Sequence, residues 1–470
     1  MFTICQGQLL QFYATFAATF SIFSYGVQHG WTAPAIAKLL SNESTIQITE
    51  AESSWLASIE MVTLAISSII CVNISKYISA RTVCILQVIP SITGWLLIAF
   101  GTNVYYFYIS RVLVGFVDVF DFLSIPVYLS EISNPNIRGA LMCVIPLMCC
   151  AGSIYSYFFG YLLSIQTFAL ISLSIPLINA LLMIKLPESP YYLIFQNRFD
   201  EGKQVLQQLR GKENIDIEFE IIKRNLDEQK SHEISWHKLF TNSLNRSALI
   251  IIISVTMIQQ ISGGQTIGSY LHLILEETNL DINIEVTATI FPFVQLFTSI
   301  VSVFIIDKVG RRKLLLFSCF GCILTLISLG IYFYFEKNRE QLYWIPLPSI
   351  YLYSFFFNSG LADIGLILSG ELFPTYIKTY GAAMGCLTYG LFGFIANKLY
   401  QTMVDLVGLY FVFWFYSGAT LLGVCYIYFV LPETNCKSLS EIQVMMNKST
   451  SKNKNIALDG LGVNTISSKL

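Results

Sequence analysis

The chain has 470 residues, of which 54% are hydrophobic and only 12% charged, with 28 Lys+Arg against 30 Asp+Glu and a formal net charge of −2. Phe (35) and Tyr (26) are used heavily. A water-soluble core does not need so sustained an apolar excess, whereas lipid wets the outside of every spanning helix, so composition excludes an ordinary soluble protein.

About twelve apolar stretches have spanning length: 8–28, 55–75, 84–102, 107–129, 140–163, 165–186, 248–274, 284–306, 314–335, 343–369, 379–401 and 407–430. A bilayer core of about 30 Å needs about 20 helical residues, and these runs fit it. The first begins almost at Met1, without a basic leader or a small-residue cleavage site, so a signal peptide is not expected. Basic residues gather after the even-numbered stretches, at Lys76 and Arg81, Arg138, the segment 187–247, Lys308 to Lys313, and Lys378. Acids such as Glu43, Glu50, Glu52, Glu276 and Glu277 mark the opposite side. The positive-inside rule then places both termini in the cytoplasm. Asn42-Glu43-Ser44 would face outward, where Asn42 is a glycosylation acceptor.

The expected domains follow from these runs. Residues 1–186 form a first six-helix bundle, and 187–247 a cytoplasmic linker with short amphipathic helices. Residues 248–430 form a second six-helix bundle and 431–470 a cytoplasmic tail. Matched junctions support a duplication. The sixth stretch ends in Pro187-Glu188-Ser189-Pro190 and the twelfth in Pro432-Glu433-Thr434. Glu131 precedes Arg138 by seven positions, as Glu371 precedes Lys378. Lys76 and Arg81 share the spacing of Asp307 and Arg312. Such repetition points to two bundles related by an axis along the membrane normal.

The turn "DKVGRRK" (307–313) packs five charges between two apolar runs. Gly310 permits the tight turn, Arg311 and Arg312 can reach carboxylates at neighbouring helix ends, with Glu371 a candidate, and Asp307 orients the cluster. Ion pairs there would close one side of a bundle pair and separate in the other state. Eleven cysteines fall mostly inside spans as small apolar filler. No compact metal-ligand spacing, nucleotide loop or nucleophile–base constellation stands out, so neither a metal, a cofactor, an enzymatic activity nor a nucleic-acid partner is expected.

The segments "SRVLVG" (110–115), "PVYLSEISNPNIRG" (126–139), "LPESP" (186–190), "QQISGGQ" (259–265), "DKVGRR" (307–312), "GELFP" (370–374) and "LPETNCKSL" (431–439) resemble the sugar-porter family of the major facilitator superfamily. The resemblance covers nearly the whole chain, and "GVQHGWTAPAI" is most similar to the insect facilitated trehalose transporters. It implies an all-α membrane fold of 12 transmembrane helices in two six-helix bundles around one central sugar site. It also implies facilitative transport of trehalose or a hexose by alternating access, at the cell membrane, by a functional monomer. Arg111, Glu131, Arg138 and Glu188, then Asp307, Arg311, Arg312, Glu371 and Glu433, match its cytoplasmic gating networks. Gln259, Gln260 and Gln265 match sugar-binding positions, and Tyr270 adds a hydroxyl or closes the outer vestibule. Amides suit a neutral polyol because each both donates and accepts.

The departures are specific. Ser79 and Ala80 stand where the first-half signature has glycine and arginine, and Tyr191 and Cys436 replace arginine and glycine. In the tenth stretch Asp363, Gly365 and Leu366 replace two prolines and a substrate-facing Trp. Asp118, Asp121 and Asp363 are acids inside spans, where a carboxylate must be paired, protonated or hydrated. They leave open a structural role, proton or cation coupling, a different cargo, or a nutrient sensor that binds without turnover.

Overall fold

A computed structural model describes residues 6–42, 44, 46–74, 77–211, 215–231, 236–335, 339–374, 377–433 and 441, and among these the regular structure is helical throughout. Among the described residues, eleven helices are long and apolar enough to cross a membrane. A further one, α1 (Gln6–Gly30, 25 residues), has the length, but its glutamines and threonines lower its hydropathy. The others are α2 (Glu50–Ile74), α3 (Ala80–Phe100), α4 (Val104–Ile132), α5 (Arg138–Leu162) and α6 (Ile165–Ile184). The second set comprises α7 (Ser243–Ser269), α8 (Ile284–Val309), α9 (Arg311–Tyr334), α10 (Pro346–Ser369), α11 (Lys378–Leu406) and α12 (Leu409–Val430).

The packing repeats with an offset of six helices. In the first set α1 packs on α5, α2 on α4, and α3 on α6; in the second α7 packs on α11, α8 on α10, and α9 on α12. The two sets meet through α2 against α11 and α5 against α8, and these two seams exchange under the same offset. A pseudo-two-fold arrangement follows from these pairings alone.

Small residues set the seams. A Cβ on Gly26 would lie 2.1 Å from the Cys149 carbonyl oxygen, and one on Gly152 2.2 Å from that of Phe23, so α1 and α5 cross backbone to backbone. Gly390 of α11 lies as close to α2, where a Cβ would fall 2.4 Å from the Met61 oxygen. In lipid, where helices gain nothing by leaving an apolar solvent, such close approach supplies much of the association.

Between the sets run short helices Pro190–Phe195, Phe199–Arg210, Asp216–Ser231 and Trp236–Thr241. They hold a small core of their own, with Ile194, Leu206, Ile215, Phe219, Ile222 and Leu226 buried. Gly211 ends the second of them at φ 61°, the left-handed cap that glycine adopts without penalty. Gln11 Nε2 donates to the Leu209 oxygen at 2.6 Å, and Arg210 donates to the Ile132 oxygen at 2.9 Å while pairing with Glu218 at 2.7 Å. The segment is thereby fastened to the ends of α1 and α4. This end of the bundle is called the linker end below, and the opposite one the far end.

Candidate functional site: a broken helix between two bundles

Helix α7 runs continuously to Ile261, then breaks at Ser262 and Gly263 and resumes as Gly264–Ser269. Gly263 has φ 89°, and a Cβ there would fall 2.5 Å from the Tyr416 ring, so both conformation and space require glycine. The Tyr353 hydroxyl donates to the Ser262 oxygen at 3.0 Å, engaging a carbonyl that the break releases from the helix ladder. The loosening expected from Ser262, Gly263 and Gly264 is therefore a defined turn held by α10 and α12.

The break sorts the predicted ligand residues. Gln259 Nε2 donates at 2.7 Å to the oxygen of Ala362, the residue just past a π-helical turn (Phe357–Leu361) in α10. Gln260 is buried, interacts with the Tyr389 side chain and lies beside Gly393. Gln265 Oε1 meets His29 Nε2 of α1 at 2.6 Å, so His29 carries its proton on Nε2 when the amide oxygen accepts. Tyr270 is fully buried and stacks on Tyr400 with ring centres 4.3 Å apart. Gln260 and Gln265 thus lie at the seam between the helix sets, Gln259 turns towards α10, and Tyr270 packs on α11. Sequence reasoning missed His29; the signal was an imidazole directly after the first apolar run.

Several bonds join the sets towards the far end. Besides His29–Gln265, the Tyr157 hydroxyl donates to the Gly268 oxygen at 2.8 Å and Asn397 Nδ2 to the Ala57 oxygen at 2.9 Å. Gln401 Nε2 donates to Glu50 at 2.9 Å. Lys38, just past α1, donates to the oxygens of Gly160 (2.7 Å) and Tyr161 (2.9 Å), a cation at the C-terminal end of α5 where the helix dipole favours one. Burial lowers its pKa from the ordinary lysine value, with Glu285 opposing.

The charged residues of the linker end sort into two groups. Arg311 pairs with Glu371 at 3.1 Å, joining α9 to the end of α10. Glu433 accepts from the backbone N–H groups of Arg311 (3.0 Å) and Arg312 (3.2 Å), a carboxylate on the first turn of α9. A Cβ on Gly310 would lie 2.7 Å from that carboxylate, so the glycine of the turn makes room for it. Arg312 donates instead to the Tyr428 carbonyl and sits over its ring, 5.6 Å from the centroid. In the first set Glu131 accepts from Ser189 Oγ at 2.5 Å, and Glu188 accepts from Ser79 Oγ at 3.2 Å. Ser79 also caps Ala80–Leu86, so the residue standing for the family glycine makes a substitute contact with Glu188. Arg138 is half-buried beside Tyr191, whose phenol burial pushes above its ordinary value while Arg138 opposes. Lys76 and the side chains of Asp307 and Leu366 lie outside the described residues.

A model for "Sugar (and other) transporter" matches residues 7–446. The chain belongs to the sugar (and other) transporter family. A facilitated trehalose transporter of Bombyx mori is 26% identical over 453 residues, 95% of this chain and 89% of that one. One of Apis mellifera ligustica is 29% identical over 443 residues, 92% and 88% of the two chains. Among solved structures, the proton:xylose symporter XylE bound to 6-bromo-6-deoxy-D-glucose aligns with a TM-score of 0.77 at 17% identity, covering 94% of this chain and all of that one. The inward open form of XylE from E. coli gives 0.74 at 18% identity. At such identity the likeness establishes the major facilitator fold; family membership makes the chain a membrane carrier rather than an enzyme.

One expected placement in this transporter is corrected. Arg111 does not join the linker-end network: it lies about two turns into α4 from the far end, because α4 enters there at Val104. It is 2% exposed and pairs with Glu60 at 2.7 Å. It also donates to the Gln28 oxygen (2.9 Å) and Thr32 Oγ1 (2.6 Å), and lies over the Trp31 ring at 4.6 Å. Sequence reasoning missed Glu60 too, although a carboxylate within a span was the available signal.

The intramembrane acids separate as well. Asp363 of α10 is half-buried. Asp121 accepts from Ser21 Oγ and Gln87 Nε2, each at 2.7 Å, through the same oxygen. Asp118 is buried with neither oxygen hydrogen-bonded. Their spacing of three does place both on one face of α4, lining a small cavity. Asn42 is exposed at the far end, as an acceptor for glycosylation requires.

Proposed function

We propose that this transporter carries trehalose or a hexose down its gradient by alternating access, cycling as a monomer in the cell membrane. The observation that carries the reading is the break at Gly263, which sets Gln260 and Gln265 at the seam between two helix sets. The matched relatives named as trehalose transporters support the cargo. Residues 1–186 and 248–430 act as the two rocking units, 187–247 is the cytoplasmic linker, and 431–470 the cytoplasmic tail. Both termini are then cytoplasmic, the far end is external, and Asn42 lies outside.

In this mechanism the central amides exchange protein partners for sugar hydroxyls. Gln260 leaves Tyr389, Gln265 leaves His29 and Gln259 leaves Ala362, while Tyr270 holds the outer part of α7 on α11. An exchange of one hydrogen bond for another costs little net free energy, which suits a site that must release as well as bind. Opening the far end breaks His29–Gln265, Tyr157–Gly268 and Asn397–Ala57. Arg311–Glu371 and the Glu433 cap, with Glu131, Arg138 and Glu188 opposite, set the balance at the linker end. Saturable uptake of labelled trehalose, glucose and fructose into liposomes holding the purified chain tests the cargo. Trehalose or hexose uptake without an imposed ion gradient is expected; uptake of none of the three by folded protein would refute the reading.

A further inference from the structure

Helices α1, α3, α4 and α6, all of the first set, enclose a cavity apart from the broken helix α7. Gln28, Gln87, Asp118, Asp121 and Asn179 line it. Each of these residues is at most 5% exposed. The space open to the centre of a water-sized sphere is about 10 Å³, enough for one particle of that size and far too small for a sugar.

Six oxygens of the lining residues share one property. Asp118 Oδ1 and Oδ2, Asp121 Oδ2, Gln28 Oε1, Gln87 Oε1 and Asn179 Oδ1 are buried without a hydrogen-bond donor, and all are acceptors. The Gln87 assignment is fixed by its Nε2, which donates to Asp121. Four hydroxyls share the lining: Ser21 donates to Asp121 Oδ1, Ser91 to the Gln87 carbonyl, Ser24 accepts from Gln28 Nε2 at 3.5 Å, and Tyr25 stands beside them, but none of the four bonds to these six oxygens. A buried acceptor without a donor is costly, and a buried carboxylate more so.

We propose that this cavity binds a single sodium ion, with Asp118 as its charged ligand and the Gln28, Gln87, Asp121 and Asn179 oxygens completing the shell. The count of groups decides between occupants. A proton on Asp118 makes one donor and serves one further oxygen; a water brings two donors. A cation is shared by all the oxygens at once, and carboxylate and amide oxygens suit a hard ion. Glu60 is paired with Arg111, and two neutral donors hold one oxygen of Asp121, so Asp118 is the carboxylate left with no contact on either oxygen. Magnesium keeps several of its waters, for which the cavity has no room. The site lies inside one helix set, so it does not depend on the sugar reading and survives rocking of the two sets.

The test is thermal unfolding of the full-length protein in detergent at neutral pH, with sodium, potassium, calcium or choline chloride at constant ionic strength. Sodium is expected to raise Tm saturably, by about 2 °C at tenfold excess over its dissociation constant, with choline inert. Asp118→Asn is expected to abolish the shift and Asn179→Leu to weaken apparent affinity at least tenfold, whereas Asp363→Asn keeps it. Identical melting of the unmodified chain in sodium and choline overturns the proposal without any variant. So does stabilisation by mild acid in choline with no sodium effect, which would identify a proton, or a response to calcium alone. A sodium shift retained in Asp118→Asn would also overturn it.

Discussion

Arg111→Met is expected to be the most damaging single substitution away from the sugar path, costing about 3–5 kcal/mol of stability. The reason is asymmetry. With Arg111 present, Glu60 is paired at 2.7 Å in a site only a few per cent exposed. With the guanidinium gone, that carboxylate stays buried beside Asp118 with no counter-charge, and Thr32 and the Gln28 carbonyl each lose a donor. The ring of Trp31 loses its cation as well. These groups belong to the far end of α1, to α2 and to α4, so the junction of three helices loosens together. The double variant Arg111→Met with Glu60→Met is expected to recover much of the loss, because it removes the stranded charge along with its partner. Thermal unfolding of the parent, Arg111→Met, Glu60→Met and the double variant in detergent checks this. A single variant that melts with the parent, or a double variant less stable than Arg111→Met, would contradict it.

The second large effect belongs to Gln260. Replacing it by alanine is expected to lower sugar exchange about 10–100-fold, with Tm changing little by comparison. Gln260 offers a donor and an acceptor at the seam and is engaged with Tyr389, which is half-buried and loses that partner when the amide is removed. Alanine also opens space beside Gly393 and Met61, so the site loses both direction and fit. Gln259→Ala is expected to cost less, since its amide is turned to the Ala362 carbonyl within its own helix set. Exchange measured at saturating and at low sugar separates the two effects. Equal exchange by Gln260→Ala and the parent would remove this residue from the sugar path.

Much of the architecture is written plainly in the chain. Lipid imposes long apolar runs, so spans can be read by length alone, and the break in α7 follows from three residues, Ser262, Gly263 and Gly264. The contact between Arg311 and Glu371 is legible because the "DKVGRRK" turn concentrates charge where two spans end. Partner choice is less legible. Arg312 turns to the Tyr428 carbonyl, while Glu433 binds backbone N–H groups rather than a side chain, and composition does not distinguish these outcomes. Arg111 is misplaced by its motif because motif adjacency does not say which end of a helix a residue occupies; chain direction through α4 does. His29 and Glu60 stand out locally as titratable groups in or beside apolar runs, but their partners Gln265 and Arg111, and the cavity enclosed by four helices, depend on how helices converge, which no local pattern encodes.

The most direct test of alternating access is trans-stimulation in liposomes. Labelled trehalose, or the hexose that the uptake panel selects, is added outside, with unlabelled sugar either present or absent inside. A carrier that exposes one site alternately to each side returns faster when loaded. Labelled entry should therefore be faster with sugar inside, an effect lost in Gln260→Ala. Entry that is indifferent to internal sugar and linear in concentration would contradict alternating access, and with it the role of the broken helix α7 in presenting Gln260 and Gln265 to the sugar.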